Sequence, residues 1–357
     1  KACAITNAQI GALDPRKSAA IQQAADELIA GRFDDQFPIN IWRSQGTGVN
    51  MNVNEVIANR ANEILTGHKG RDEIHPNTHV NMCQSSNDVF PTAENIVFFR
   101  NIAKTTAALK HLEDAVAKKA IEFKDVVRLG RTGLQDAVPM TWGQVFGTWH
   151  SMLHRNRVEL ESYRPTFQSV VLGATVLGTG MGQLPGYADH IYENLSKVIG
   201  FEVYWPRMDG EVIEDSAAFD GMRNTDHQMM LMCYLKSAAA ALGRIANDLI
   251  IFSSGPTAGL RELELPESAI GTLGYEGENT PYVPELVLQV MSQIIGTEFM
   301  ALLSANEGQQ DHGSVNSGAV IKVYQALRLM EKLPFIFSDE CISGIRVNRE
   351  VCQKNAE

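Results

Sequence analysis

The chain has 357 residues, 44% of them hydrophobic and 20% charged, so it can bury a large core and has the composition of an ordinary globular protein. The 31 Lys and Arg residues against 42 Asp and Glu give a net charge of -11, which argues against nucleic acid or an anionic membrane as the main partner. The five cysteines are widely spaced and form no CxxC pair, which argues against a disulfide framework and favours a reducing, cytoplasmic setting.

The spacing of apolar residues predicts short helices and polar turns in the first ninety residues and long helices beyond Thr92. The predicted helices are Arg16 to Ile29, Val53 to Leu65, Ala93 to Phe123, Pro139 to Ser162, Asp226 to Ser253, Val283 to Ala305 and Gly318 to Leu333. Pro139 suits the first turn of a helix, and Ser253 to Pro256 indicates a helix stop. The best strand candidates are Val170 to Leu172 and Phe201 to Tyr204.

These elements predict a mainly α fold, an elongated bundle of long helices. Three consecutive domains are expected: an incomplete N-terminal mixed domain at 1–90, a central long-helix bundle at 91–340, and the start of a C-terminal domain at 341–357. Apolar residues surround most of the helix from Asp226, more than one amphipathic stripe requires. Because Lys236 and Arg244 interrupt it, we expect a helix buried on several sides rather than a membrane span. Since the first residues include neither Met nor a signal-peptide pattern, a preceding segment is expected.

Polar segments at predicted loops or helix boundaries are the candidates for chemistry. They are Gly46 to Glu55, Gln84 to Thr92, Gly130 to Pro139 and the Gly-rich Gly271 to Pro281. The hydroxyl and amide groups of the first two can hydrogen-bond a carboxylate with less desolvation cost than a buried charge. Taken alone, each of these two is equally consistent with a Gly loop or capping segment that begins a helix.

Other chemistry-bearing patterns are weaker. His75, His79 and Cys83 are spaced as metal ligands on one helix face, but Pro76 forces His75 out of helical geometry. His150 and His154 share a helix face without an HExxH pattern, and the serines after Phe252 are in no GxSxG elbow. We therefore expect neither a metal nor an organic cofactor.

Taken in order, the segments resemble the fumarase/aspartase superfamily over essentially the whole chain. The motifs that carry this resemblance are GTGVNMNVNEVIANRA, HPNTHVNMCQSSNDVFPTA, GRTGLQDAVPMTWGQ, LGATVLGTG, IANDLIIFSSGPTAGLRELELPE and PELVLQV. Val49 to Ala61, Gln135 to Gln144 and the CISGI…EVC ending look more like aspartate ammonia-lyase, whereas His75-Pro76-Asn77 looks more like fumarase. Typical members have a further N-terminal segment and a small helical C-terminal domain, and relative to them this sequence is shorter at both ends, which truncation, disorder or an unusual gene would each explain.

The resemblance implies a mechanism. Removing a proton beside a carboxylate leaves a doubly negative enediolate, which needs preorganised donors where charge develops. The resemblance implies Thr272 and Thr132 as catalytic residues. It implies as substrate-binding residues Thr47, Asn50, Ser85, Ser86, Asn87, Thr132, Glu278 and Thr280.

The chain departs from the family in the loop that carries the base. Where the family pattern is GSSxMPxKxNP, this sequence reads GTLGYEGENTP, so Thr272 replaces the base serine, Glu278 the lysine and Thr280 the asparagine. Lys to Glu reverses a charge beside a dianionic substrate, a change of several kcal/mol in a poorly solvated site. Gly133 and Gly182 also stand where the family has polar side chains.

The expected function is aspartate ammonia-lyase-like: L-aspartate to fumarate plus ammonia, by anti elimination. The expected assembly is a cytoplasmic homotetramer whose subunits share active sites. The alternatives are a fumarate hydratase, a lyase of N-substituted aspartates in which Glu278 pairs with a substrate cation, and a catalytically impaired, non-enzymatic relative.

Overall fold

A computed structural model of the chain describes residues 1–38, 41–207, 213, 216–271, 279–308, 311–313 and 317–357, without the side chains of 41–45 and 317. The described chain is mainly α, as the sequence predicts. The helices are α1 (Ala2–Gln9), α2 (Pro15–Ile29), α3 (Ile41–Thr66), α4 (Ser86–Glu122), α5 (Trp142–Tyr163), α6 (Tyr187–Ile199), α7 (Ser216–Arg223), α8 (Asp226–Phe252), α9 (Tyr282–Asn306), α10 (Ser317–Glu340) and α11 (Arg349–Ala356). A π-helix covers Pro76–Val80. The described strands form two antiparallel pairs, β1 (Val127–Thr132) with β2 (Gln135–Thr141) and β3 (Leu263–Glu264) with β4 (Arg346–Val347).

The chain clusters into two compact units that are each discontinuous in sequence. The first unit comprises 1–99, 165–227 and 302–321, and the second comprises 100–164, 228–301 and 322–357. The core of the first unit includes Ile21, Ala58 and Tyr187, and that of the second includes Leu242 and Phe146. The units do not coincide with the consecutive segments 1–90, 91–340 and 341–357, whose standing as domains stays a prediction.

Several predicted helix boundaries are confirmed to within about a residue. This holds for α2, α8 and α9, and α8 stops just before the Ser253–Pro256 segment. Two other predicted helices are longer than expected, because α4 begins at Ser86 and α10 reaches Glu340, each continuing through an internal proline. A proline removes one backbone hydrogen bond, and the buried Leu333 and Phe337 on either side of Pro334 keep α10 continuous.

The prediction that Pro139 opens a helix is wrong. Pro139 lies in β2 opposite Leu129, and α5 begins at Trp142. A capping box sets that start, because the Thr141 side chain accepts the Gln144 backbone N–H and the Gln144 side chain accepts the Thr141 backbone N–H.

The expected Gly loop at Gly46 to Glu55 is also wrong, because the whole segment lies inside α3. The reason is close packing: a Cβ on Gly46 would lie 2.8 Å from the ring of Phe90. The glycine therefore lets α3 approach α4 rather than turning the chain.

The two segments predicted as strands are linked by a single isolated bridge. An isolated parallel bridge joins Tyr204, the last residue of one predicted segment, to Ser169, which precedes the other, but neither segment forms a strand. The described strands β1 to β4 were missed, since Pro139 in β2 suggested a helix start and β3 and β4 have only two residues each.

Helices α8 and α9 are long and apolar enough, by length and composition alone, to cross a membrane. Over that apolar window α8 is 56% buried and α9 is 22% buried. The expectation of a helix buried on several sides is confirmed for α8, in which Leu231, Met232 and Ala241 are buried on different sides of the helix. The same test is passed by core helices of soluble proteins.

Candidate active site

The start of α4 presents two half-buried hydroxyls. Ser85 Oγ accepts the backbone N–H of Asn87 at 3.2 Å, and the Ser85 backbone N–H donates to Asp88 Oδ1 at 3.0 Å. The two bonds cap the helix start reciprocally, although the Ser85 hydroxyl accepts from the second helical residue rather than from the third, as it would in a full capping box. The two bonds leave the Ser85 hydroxyl proton free to point outward. The 37-residue helix behind it places the positive end of its dipole at these serines.

The second hydroxyl, on Ser86, is held by an amide from α3. Asn50 Nδ2 donates to Ser86 Oγ at 2.9 Å and also lies 3.2 Å from Asn81 Oδ1. Asn54 Nδ2 donates to the same Asn81 oxygen at 3.0 Å. Because the amide occupies a lone pair of Ser86 Oγ, the hydroxyl proton is available to a ligand.

A tight turn at residues 173–176 is tied to this helix start. Asp88 Oδ2 accepts the backbone N–H groups of Gly173 at 2.9 Å and Thr175 at 2.8 Å. The neighbouring Asn87 donates its side-chain amide to the carbonyl of Val176 at 3.0 Å. Burial raises the pKa of Asp88 to about 6, although the N–H groups of Ser85, Thr175 and Gly173 act to lower it.

The structure therefore brings together most of the substrate-binding residues predicted in the first unit: Asn50, Ser85, Ser86 and Asn87. Thr47 lies one turn before Asn50 on α3 and is exposed. One N–H of the Asn87 side-chain amide already donates to the Val176 carbonyl of the turn. The amide has a second N–H, which can still donate to a carboxylate, whereas its carbonyl oxygen can only accept.

Two further predicted residues lie in the second unit. Thr132 is exposed at the end of β1, paired with Gln135 across the hairpin. Thr280 forms an antiparallel bridge with Gly271, whose N–H donates to the Thr280 carbonyl at 2.9 Å. Thr272 and Glu278 both lie outside the described residues.

The hairpin that carries Thr132 has a buried anchor. Glu262 is fully buried and accepts from Arg128 at 3.0 Å and from Arg131 at 2.7 Å. The Arg128 guanidinium lies over the rings of both Trp142 and Phe252, 4.5 and 4.4 Å from their centroids. Charge pairing and cation–π contact together hold the strand that ends in Thr132.

Sequence reasoning missed the supporting residues Asp88, Asn81 and Glu262. One signal was available for Asp88, because Ser85-Ser86-Asn87-Asp88 matches the capping-box spacing. The partners of Asn81 and Glu262 are distant in sequence, and no local pattern identifies them.

The histidines of the weaker sequence patterns form contacts within the fold. His75 is extended, as expected before Pro76, and its Nδ1 accepts the N–H groups of Asn77 and Thr78. His150 and His154 face the buried Glu113, at 3.7 and 3.0 Å. Within the described ranges no three His, Cys, Asp or Glu side chains are arranged to hold a metal ion.

Comparison with known proteins gives consistent matches. The model of a family described as Lyase matches residues 1–296. Fumarate hydratase class II of Thermosynechococcus vestitus is 37% identical over 360 positions, covering 100% of this chain and 75% of that protein. Aspartate ammonia-lyase of Helicobacter pylori is 36% identical over 354 positions, covering 99% and 74%. The crystal structure of fumarate lyase:delta crystallin from Brucella melitensis bound to cobalt superposes with a TM-score of 0.92 at 35% identity, covering 100% and 76%.

Proposed function

The chain belongs to the fumarase/aspartase superfamily, and on that premise we propose that it converts L-aspartate to fumarate and ammonia. Relatives named aspartate ammonia-lyase and fumarate hydratase match at 36% and 37% identity. Both of these enzymes are lyases, which supports lyase activity for this chain. The choice of a carbon–nitrogen bond rests on the aspartase-like segments Val49 to Ala61 and Gln135 to Gln144.

The arrangement at the start of α4 carries this proposal. Ser85 and Ser86 each have a lone pair occupied by a protein donor, from Asn87 N–H and Asn50 Nδ2. Their hydroxyl protons are thus left for a carboxylate, at the positive end of a 37-residue helix. Such fixed donors gain most when negative charge develops on the ligand.

The proposed elimination begins when a base removes a proton from the carbon beside the substrate carboxylate. The electron pair of that C–H bond moves into the carboxylate and forms the enediolate, which Ser85 and Ser86 stabilise by hydrogen bonds. The pair then returns to form the C=C bond, and the C–N bond breaks with its electrons leaving on ammonia. By sequence position Thr272 is the proposed base and Thr132 assists at the substrate.

Fumarate formation tests the proposal directly. Purified protein with L-aspartate should generate the ultraviolet absorbance of fumarate, and Ser86→Ala should lower kcat/KM by about 100-fold, as for loss of one oxyanion donor. Ser151→Ala is the matched control, since Ser151 Oγ donates only to the carbonyl of Gly147 on α5. Absorbance with L-malate but not L-aspartate would make the chain a hydratase. Absorbance with neither substrate, at high enzyme concentration, would overturn the proposal.

The reversed charge in the base loop is tested separately. We propose that Glu278 lowers affinity for a second carboxylate or pairs with a cation on an N-substituted aspartate. Glu278→Lys with Thr280→Asn should raise activity on L-aspartate, whereas binding of N-substituted aspartates should weaken. Activity that appears only in the double variant would identify a decayed site.

We propose a homotetramer with active sites shared between subunits. The support is the apolar surface of α9, on which Tyr282, Leu286, Ile295 and Phe299 are exposed. Apolar patches rimmed by polar residues mark interaction surfaces. A monomeric mass in solution would contradict shared sites.

We also propose a reducing, cytoplasmic location. All five cysteines are free, and four of them are buried, which fits a compartment that keeps thiols reduced. Localisation of a tagged chain by microscopy or cell fractionation would test this.

A further inference from the structure

We propose that Asp88 is a positioning residue: its carboxylate ties the turn at 173–176 to the start of α4, and this turn forms the second wall of the carboxylate site. This inference rests on the proposed function for the identity of the ligand. It assigns Asp88 no contact with substrate.

The carboxylate bridges two segments that are distant in sequence. Oδ1 accepts the N–H of Ser85, and Oδ2 accepts the N–H groups of Gly173 and Thr175. Each oxygen therefore serves one segment. An aspartate can accept with both oxygens, whereas asparagine has one accepting oxygen and must leave one segment without its acceptor.

The burial of Asp88 indicates that this bridge is specific. Its side chain is fully buried, and no described residue forms an ion pair with it. A buried charge of this kind is costly unless hydrogen bonds compensate, and here the compensation comes from backbone N–H groups. A helix cap alone requires only the contact with Ser85, so the bonds to Gly173 and Thr175 need a separate explanation.

The turn itself adopts a conformation that its sequence does not favour. Thr175 has φ of 61°, an uncommon value for a β-branched residue. Three side chains hold it there besides Asp88: Tyr192 Oη donates to the Leu172 carbonyl at 2.6 Å, Asn87 donates to the carbonyl of Val176, and Gln183 donates to the carbonyl of Gly173. Strained backbone that the surrounding structure maintains is concentrated at functional sites.

The turn contacts the residue that follows the two serines. Asn87 follows Ser86 directly and contacts Val176, whose own side chain is 54% exposed. Moving the turn would therefore change the space beside Ser85 and Ser86 without altering either hydroxyl. This separates a positioning role from a catalytic one.

The test substitutes Asp88→Asn and uses succinate, an unreactive dicarboxylate, as the probe in calorimetry. We expect Kd for succinate to rise about tenfold or more, the loss typical of a charge-assisted hydrogen bond, and KM for L-aspartate to rise with it. Amide hydrogen exchange at Gly173 and Thr175 should accelerate. Asp114→Asn is the matched control on α4, because Asp114 is exposed and pairs with Lys110; its Kd should stay within about twofold of wild type.

A second variant separates positioning from loss of fold. Thr175→Gly removes the side chain that disfavours positive φ, so Asp88→Asn with Thr175→Gly should recover part of the lost affinity. Faster exchange at the turn with unchanged Kd would overturn the positioning role, as would a double variant no better than Asp88→Asn. If the wild type binds no succinate and makes no fumarate, the proposed function fails; the exchange data then still report whether Asp88 holds the turn.

Discussion

Asn50 on α3 donates its side-chain amide to Ser86 Oγ on α4 at 2.9 Å, although 36 positions separate them in the chain. The contact determines which way the Ser86 hydroxyl can donate. Asn50→Asp should reverse it, because a carboxylate would accept the hydroxyl proton that the ligand needs. We expect kcat/KM for L-aspartate to fall by about 100-fold, with stability lowered by about 1–2 kcal/mol.

The control for this prediction is Asn59→Asp, the same substitution on the same helix. Asn59 Nδ2 donates only to the carbonyl of Glu55 on its own helix, so kinetic constants should remain near wild type. Steady-state kinetics and denaturant unfolding measure both effects. Equal losses in the two variants would show that added charge, not the contact with Ser86, is responsible.

Two glycines of α5 should respond oppositely to alanine. A Cβ on Gly143 would lie 2.4 Å from Lys124 Cα and 2.7 Å from the Ala120 carbonyl. Because these are backbone atoms, Gly143→Ala should destabilise by about 2 kcal/mol or more. Gly147 has nothing within 4 Å of such a Cβ, so Gly147→Ala should stabilise by up to about 1 kcal/mol through helix propensity. Urea unfolding of both variants measures the two changes in the free energy of unfolding.

Glu113 should make stability depend on acid pH. Burial acts to raise the pKa of Glu113, but hydrogen bonds from Arg157 and His154 outweigh it and hold the pKa below its usual value of 4.5. Because the folded-state pKa is depressed, the ionised carboxylate stabilises the fold above about pH 4.5, and this contribution is lost as the pH falls through the depressed value.

The corresponding variant is Glu113→Gln. It should lower the free energy of unfolding by about 2 kcal/mol at pH 7, and the difference from wild type should shrink below pH 4.5. Glu159→Gln, at an exposed position of α5, serves as the control with no such dependence. If the difference in unfolding free energy between Glu113→Gln and wild type stays constant down to pH 3, the ionisation of Glu113 does not cause the pH dependence.

Phe299 tests the proposed assembly. Its side chain is 59% exposed on α9, and a charge there should oppose burial against another subunit. Phe299→Glu should shift the mass measured by light scattering from tetramer to smaller species. Ile29→Glu, at a comparably exposed position on α2, should leave the mass unchanged. A tetramer that survives Phe299→Glu would place the interface elsewhere.

Local patterns were sufficient for part of this structure. The apolar spacing of residues 226–252 predicted α8 and its buried faces, and the stop at Ser253–Pro256 followed from the Gly-Pro step. The ordered motifs identified the family and the hydroxyls at Ser85 and Ser86. These features depend on residues that are close together in the chain, so local sequence patterns are enough to predict them.

Other features depend on contacts between residues distant in the chain, and only the tertiary structure decided them. Gly46 looked like a loop glycine until its approach to Phe90 was known, and Pro139 looked like a helix start until β2 paired with β1. The sequence alone determined which groups could bind a carboxylate. The tertiary structure decided how they are held, because the orientation of Ser86 depends on Asn50, and the turn at Thr175 depends on the buried carboxylate of Asp88.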